Sequence, residues 1–388
     1  MRKLNFVIFF SVALSVYALI NFYLLLRGWQ LLSFDPALRA YVLVLVIILA
    51  VAFIAGRVLE RVKLSWFSTI LVWLGSFWLA AMTYFLIIAL GIDVLRLSND
   101  IIPWFPSAIV HHQTSTKETT SLVVLSIVLI TVFLGYQNAV HPRIRKLNLT
   151  IPKSGGIKGR LNIVAVSDIH LGTIIGRSRL QKIVGLVNNL QPDLILLPGD
   201  VFDEDIGPVI KENLGETLRT LKATYGVVAI TGNHEYIGGE EAACRYLTDH
   251  GITVLRDSVL KIDGVCTIVG REDISIRQFN GKHRKTLDEL MKDVATSLPV
   301  ILLDHQPFHL EDAETHGVDL QLSGHTHHGQ LWPFNYISSR IFEVSRGYKR
   351  KGNTHIYVSC GVGTWGPPVR TGNTPEIVNI RLSLNPAA

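Results

Sequence analysis

Four long apolar runs occupy the first third of the chain. Residues 4–26, 41–56, 66–92 and 121–137 carry almost no charge, and no polar position recurs within them at helical spacing. A run with no polar stripe leaves no face for water, so these read as membrane-spanning helices and not as buried core. A helix needs roughly 17–25 residues to cross the hydrocarbon layer. Three runs meet that length, and the second is expected to extend to about residue 59. Residues 1–140 are therefore read as an all-α transmembrane region of four helices. The first run follows Met1-Arg2-Lys3, yet it is too long for a signal peptide and leads into LLLRGWQLL without a small-residue cleavage site. It is expected to stay as an anchor.

The segment 141–159, HPRIRKLNLTIPKSGGIKG, is basic and then rich in Pro, Gly and Ser, and it reads as a tether. From residue 160 the pattern changes. LNIVAVSD (161–168), DLILLPGD (193–200), YGVVAITGN (225–233), LPVILLDH (298–305) and VDLQLSGH (318–325) are apolar throughout and end in polar clusters. Amphipathic stretches near 177–190 and 208–223 separate the first three. Strands without alternation are buried on both faces, so residues 160–388 read as an α/β domain.

Charge follows the same division. Residues 1–150 hold 12 Lys and Arg against 5 Asp and Glu, and the remainder holds 25 against 26. The net charge of +6 thus sits beside the spans. A nucleic-acid-binding protein would carry its excess on the soluble domain, so that class is excluded. Arg2 and Lys3, then Arg57, Arg61 and Lys63, then Arg143, Arg145, Lys146, Lys153 and Lys158 fall on one side of the four-span topology. The other side has Arg27, Arg39, Arg96 and Lys117. The positive-inside rule then predicts both termini and the α/β domain in the cytoplasm, with a multi-pass anchor in the inner membrane. Cys244, Cys266 and Cys360 are isolated and odd in number, which argues against a disulfide framework or a zinc–thiolate site.

In open α/β sheets ligands gather beyond the carboxyl ends of strands. Those ends here supply Asp168 and His170 (SDIH), Asp200 (PGD), Asn233 and His234 (GNHE), His305 (DHQP), and His325 and His327 (GHTH). Carboxylates, imidazoles and an amide oxygen suit Mn²⁺, Fe²⁺, Zn²⁺ or Co²⁺. Asp168 and His170 stand two apart, as do His325 and His327. In an extended backbone each pair points to one side. The set exceeds what one ion needs. Two ions about 3.5–4 Å apart share a bridging carboxylate, and Asp200 is alone on its strand.

The ordered series D-x-H, G-D, G-N-H-E, H-x-P and G-H-x-H resembles the calcineurin-like metallophosphoesterases over about residues 160–382. Within that superfamily SDIHLG, GNHEY, SGHTHHGQ and GVGTWGPPVRTGNTPEI resemble the bacterial membrane-associated branch near the UDP-2,3-diacylglucosamine pyrophosphohydrolases. The resemblance implies a two-sheet αββα sandwich and two divalent metal ions. Asp168, His170 and His327 would hold the first ion and Asn233, His305 and His325 the second, with Asp200 bridging. His234 would be catalytic, facing the scissile phosphate to stabilise the transition state or protonate the leaving oxygen. The implied reaction is hydrolysis of a phosphodiester or pyrophosphate bond by metal-activated hydroxide. An anchor beside such a site motivates a lipid-linked substrate, with the lipid bilayer as partner. The alternatives are a phosphodiesterase of soluble nucleotides, anchored only for localisation, and a non-catalytic membrane sensor or scaffold. A relic site typically loses ligands, and all seven are present.

Weaker signals complete the reading. Purple acid phosphatases of the same superfamily have a tyrosine three residues after the bridging aspartate. Asp203 stands there, which favours a divalent pair over an iron–tyrosinate site. Asp203 itself either supports the ligands or, the reading the sequence favours, caps the next helix. His328 has the opposite parity to its neighbours and is expected to point away. The basic stretch SRGYKRKG (345–352) is read as a solvated turn or a contact for anionic headgroups, and Arg370 as a comparable phosphate contact. Asp304 is not expected to orient His305. His111 and His112 lack a third ligand, and Trp104 with Phe105 reads as an interfacial anchor. No ionisable residue lies deep in a span, which removes the feature a transporter needs.

Overall fold

The computed structural model describes residues 2–31, 36–106, 109, 113–153 and 160–384. It divides into two compact units, Met1–Tyr136 and Gln137–Ala388. Four helices, α1 (Arg2–Leu31), α2 (Pro36–Val62), α3 (Trp66–Ile101) and α4 (Gln113–Ala139), are each long and apolar enough to cross a membrane. The short second run reaches 27 residues because its helix continues through Arg57 and Arg61. Ser65 and Ser68 form a reciprocal capping box that starts α3. A Cβ on Gly75 would lie 2.1 Å from the backbone nitrogen of Phe53, so this glycine lets α2 and α3 touch. In lipid, apolar burial no longer drives helices together, and close approach of this kind does. His111, His112 and Lys158 lie outside the described residues.

The second unit is a sandwich of two six-stranded sheets. The strands are β1 (Arg143–Ile151), β2 (Arg160–Ala165), β3 (Leu194–Pro198), β4 (Val227–Ile230), β5 (Thr253–Leu255), β6 (Ser258–Ile262), β7 (Cys266–Gly270), β8 (Val300–Leu303), β9 (Leu320–Ser323), β10 (Gly347–Lys351), β11 (Thr354–Val358) and β12 (Glu376–Leu384). One sheet has the order β1-β12-β2-β3-β4-β5 and the other β10-β11-β9-β8-β7-β6. β2 to β5 run parallel, as do β7, β8, β9 and β11, so each sheet presents a row of carboxyl ends. Between the sheets, Leu161, Ile163 and Ala165 of β2 and Leu194 and Leu196 of β3 meet Ile268 of β7, Ile301 and Leu303 of β8, and Leu320 and Leu322 of β9. Alternate residues, such as Val300 and Leu302, pack outward under the helix Leu287–Met291. That two-sided burial explains why the strands read as continuous apolar runs.

The tether expected over 141–159 is corrected for most of its length. Residues 143–151 are β1, paired in parallel along their whole length with β12. The alternation of Leu147, Leu149 and Ile151 with Lys146, Asn148 and Thr150 is an edge strand with one buried face, and the basic residues disguised it. Lys153 then closes an ion pair with Asp319 at 2.5 Å. Likewise 347–351 is not a turn but the edge strand β10, whose Lys349 and Lys351 pair with Glu343. Charged edges of this kind block further strand addition.

Ile301 is fully buried between the sheets. Ile301→Ala is expected to cost about 2–5 kcal/mol and to lower the thermal midpoint of the full-length protein in detergent, read by circular dichroism.

Candidate metal centre

The chemistry-bearing residues lie just past the strand ends, not within them. Both pairs at spacing two break from extended backbone. φ is 52° at Asp168, 53° at His170, 70° at His325 and 42° at His327. The parity argument used for them therefore does not apply. Asp200, at φ 52°, shares this left-handed conformation. Each such residue costs about 1–3 kcal/mol and persists only where its surroundings fix it. Here the fixing contacts are visible. The His325 amide donates to Asp168 Oδ1 at 2.8 Å, and the His234 amide donates to Asp200 Oδ1 at 2.9 Å. Glycines admit the approach. A Cβ on Gly324 would sit 2.2 Å from Asp168 Oδ2, and one on Gly199, at φ +90°, would sit 2.4 Å from His305 Nδ1.

All seven ligand candidates converge. Asp168, His170 and His327 offer donor atoms within 4.8 Å of one another, and Asp200, His305 and His325 do the same. Asn233 Oδ1 stands 2.8 Å from His325 Nδ1 and 3.3 Å from His305 Nε2. Asp200 Oδ2 is 3.1 Å from His305 Nε2 and 3.8 Å from His170 Nε2, so this carboxylate faces both groups. The Pro198 carbonyl lies 2.8 Å from His305 Nδ1; donating there commits that nitrogen's proton and turns Nε2 inward. His170 Nε2 and His327 Nε2 face each other at 2.9 Å.

The electrostatics fit a cation. Burial, then the charge of His234, pushes His170 down to about 3. Burial, then His305, does the same for His325, and burial with His170 and Arg370 depresses His327 well below its ordinary value. Three of the imidazoles are thus held neutral. Burial alone would raise Asp200, but His305, His234 and His170 outweigh it and hold the group well below the usual carboxylate range. Asp168 Oδ2 and His170 Nδ1 are buried with no hydrogen-bond partner among the described residues. Such orphans cost about 1–3 kcal/mol each. A divalent ion would satisfy this donor set.

His234 stands apart in its bonding. Its Nδ1 meets the Asp203 carbonyl, and its ring stacks edge-on against His170 at 4.6 Å. Burial lowers its proton affinity, but Asp200, Asp203 and Glu204 overcome this and raise it. Asp203 does not cap the following helix. Its Oδ1 is 3.8 Å from both His170 Nδ1 and His234 Nδ1, while Asp205 accepts from the Gly207 amide near the helix start.

Arg370 is also corrected. Its side chain is fully buried, donating to the Gly363 carbonyl and lying 3.1 Å from His327 Nδ1. Asn373 donates to the His327 carbonyl, so two residues of one loop hold this histidine. The loop is tied in turn to the last turn of α4, where Asn138 Nδ2 donates to the carbonyls of Arg370 and Asn373 at 2.9 and 2.7 Å. His328 is half-buried against Ser345 Oγ at 2.8 Å. Asp304 accepts from Arg271 and Arg284 and makes no bond to His305.

Two residues escaped the sequence reading. Glu235 is buried and accepts from the amides of Asp200, Phe202 and Gly232, clamping the Asp200 turn to the helix Asn233–Gly238. Its place directly after His234 in GNHE was the available signal. Trp365 is half-exposed beside the site, its ring 6.0 Å from that of His234.

The sequence pattern of the calcineurin-like phosphoesterases matches residues 161–329. A metallophosphoesterase of Aquifex aeolicus is 35% identical over 236 residues, which is 60% of this chain and 87% of that protein. One of Helicobacter pylori is 34% identical over 249 residues, 64% of this chain and 65% of that one. A zebrafish (Danio rerio) transmembrane protein with metallophosphoesterase domain is 32% identical over 281 residues, 69% of this chain and 63% of that one. The chain thus spans just under two thirds of the last two. It belongs to the calcineurin-like metallophosphoesterases, a family of metal-dependent phosphoric ester hydrolases. It carries the family domain behind four apolar helices, as a membrane protein.

Glu235→Gln turns an amine toward amides that now find an acceptor. The expected loss is about 1–3 kcal/mol of stability together with weaker Mn²⁺ binding, measured by thermal melts with and without the ion.

Proposed function

We propose that the protein is a membrane-anchored hydrolase of phosphodiester or pyrophosphate bonds that works with two divalent cations. The observation carrying this reading is Asp200 Oδ2, 3.1 Å from His305 Nε2 and 3.8 Å from His170 Nε2, between two groups of donors. Asp168, His170 and His327 would hold one ion and Asn233, His305 and His325 the other, with Asp200 shared. When bound, the pair supplies charge neutralisation at the phosphoryl oxygens and a water acidified toward neutral pH.

The chain's own residues supply the rest. His234, with Nδ1 committed to the Asp203 carbonyl, keeps Nε2 for the substrate, and its raised proton affinity suits a donor to the leaving oxygen. Glu235, Gly199 and Gly324 hold the ligand turns in place. The near-neutral charge of the second unit argues against a nucleic-acid partner, and the basic residues flanking the apolar helices support a cytoplasmic domain at the inner membrane. A substrate with a lipid portion is the reading that the apolar helices and the exposed Trp365 at the site support.

Purified full-length protein with Mn²⁺ is expected to hydrolyse bis(p-nitrophenyl) phosphate and to lose that activity in chelator. Asp200→Asn should reduce kcat/KM by about 100-fold or more; full activity in this variant would overturn the reading. His234→Gln should lower kcat by about 10²–10⁴ while Mn²⁺ binding, followed by calorimetry, stays intact.

A further inference from the structure

The turn that carries His327 leads into a helix, Phe334–Ile341, whose polarity is inverted. Its one buried residue is Ser338. Tyr336, Ile337 and Ile341 point outward and are 62%, 55% and 60% exposed. Trp332 and Phe334, just before them in the chain, and Trp365, whose carbonyl accepts from Gln330, are likewise exposed, at 46%, 43% and 55%. A helix facing water would show the opposite pattern. Large contiguous exposed apolar patches mark interaction surfaces.

We propose that this ridge is a bilayer-docking surface that lies at the headgroup–acyl boundary and holds the mouth of the metal centre against the lipid. Three observations select lipid as the occupant. The first is composition: tryptophan and tyrosine with isoleucine make the mixture found at membrane interfaces. The second is charge. Arg340 sits among the outward residues of the helix and Arg346 follows it, both exposed, and both suit anionic headgroups. The third is position. Trp332 donates its amide to Thr371 Oγ1 at 2.9 Å, and Thr371 and Gly372 donate theirs to the Gln330 carbonyl. The same loop is held at Arg370 and Asn373 by Asn138, in the last turn of the apolar helix α4. The ridge is therefore tied, through that one loop, to Asn138. The start of the helix lies directly on Gly329, where a Cβ would meet the Phe334 backbone at 2.3 Å, so the surface adjoins the His327 turn.

The proposal rests on the membrane-anchored reading but needs no turnover, so its failure is separable from that of the hydrolase. Full-length protein with Cys244→Ser carries a nitroxide at Ile337→Cys or Ile341→Cys, in nanodiscs containing phosphatidylglycerol. Lys222→Cys, exposed near the amino end of β4, is the aqueous control. The labels at 337 and 341 are expected to show high oxygen and low nickel-chelate accessibility, at a depth of about 5–10 Å. Accessibility equal to that at position 222 would overturn the proposal. Shielding from both reagents would overturn it too, because protein and not lipid would then cover the ridge.

Discussion

The turns at the strand ends answer to one constraint: imidazole nitrogens and carboxylate oxygens crowd together in a buried site. His170 Nε2 and His327 Nε2 stand 2.9 Å apart, and Asp200 Oδ2 looks toward both His170 and His305. Water cannot screen them, because Asp168, His170, Asp200 and His305 are nearly or fully buried. Burial holds His170 and His325 neutral, so neither can offset the others' lone pairs by taking a proton. A fold that left this arrangement uncompensated would pay heavily. Divalent cations are the economical compensation, and the donor types match them.

Holding such groups together has structural consequences well outside the site. Asp168, His170, Asp200, His325 and His327 all adopt left-handed backbone, which only a rigid frame sustains. The frame is the pair of six-stranded sheets, each delivering parallel carboxyl ends to the same edge of the sandwich. Glu235 pins the Asp200 turn, and Arg370 with Asn373 pins the His327 turn. The loop bearing those last two also accepts hydrogen bonds from Asn138 at its Arg370 and Asn373 carbonyls.

The sequence disclosed the parts that depend on local pattern. Continuous apolar strands, four long apolar helices and the residues at strand ends were all legible because burial and apolar length leave one-dimensional signatures. The convergence of Asp168, His170, Asp200, Asn233, His305, His325 and His327 was legible too, though for a partly mistaken reason. Proximity came from left-handed turns, not from extended parity. What stayed hidden depended on distant partners. Arg145, Lys146, Lys349 and Arg350 look like solvated linkers until β12 and β11 are placed beside them. Arg370 looks like a phosphate ligand until Gly363, Asn373 and His327 enclose it. Asp203 is ambiguous until His170 and His234 close over it. The inverted helix Phe334–Ile341 is amphipathic in sequence, and only the structure shows which face is turned outward.

The central claim is a pair of cations held in a shared carboxylate's reach. Anomalous diffraction from crystals of the full-length protein grown with Mn²⁺ tests it directly. The account predicts two peaks about 3.5–4 Å apart, one among Asp168, His170 and His327 and one among Asn233, His305 and His325, with Asp200 touching both. A single peak, or none at these residues, would contradict it.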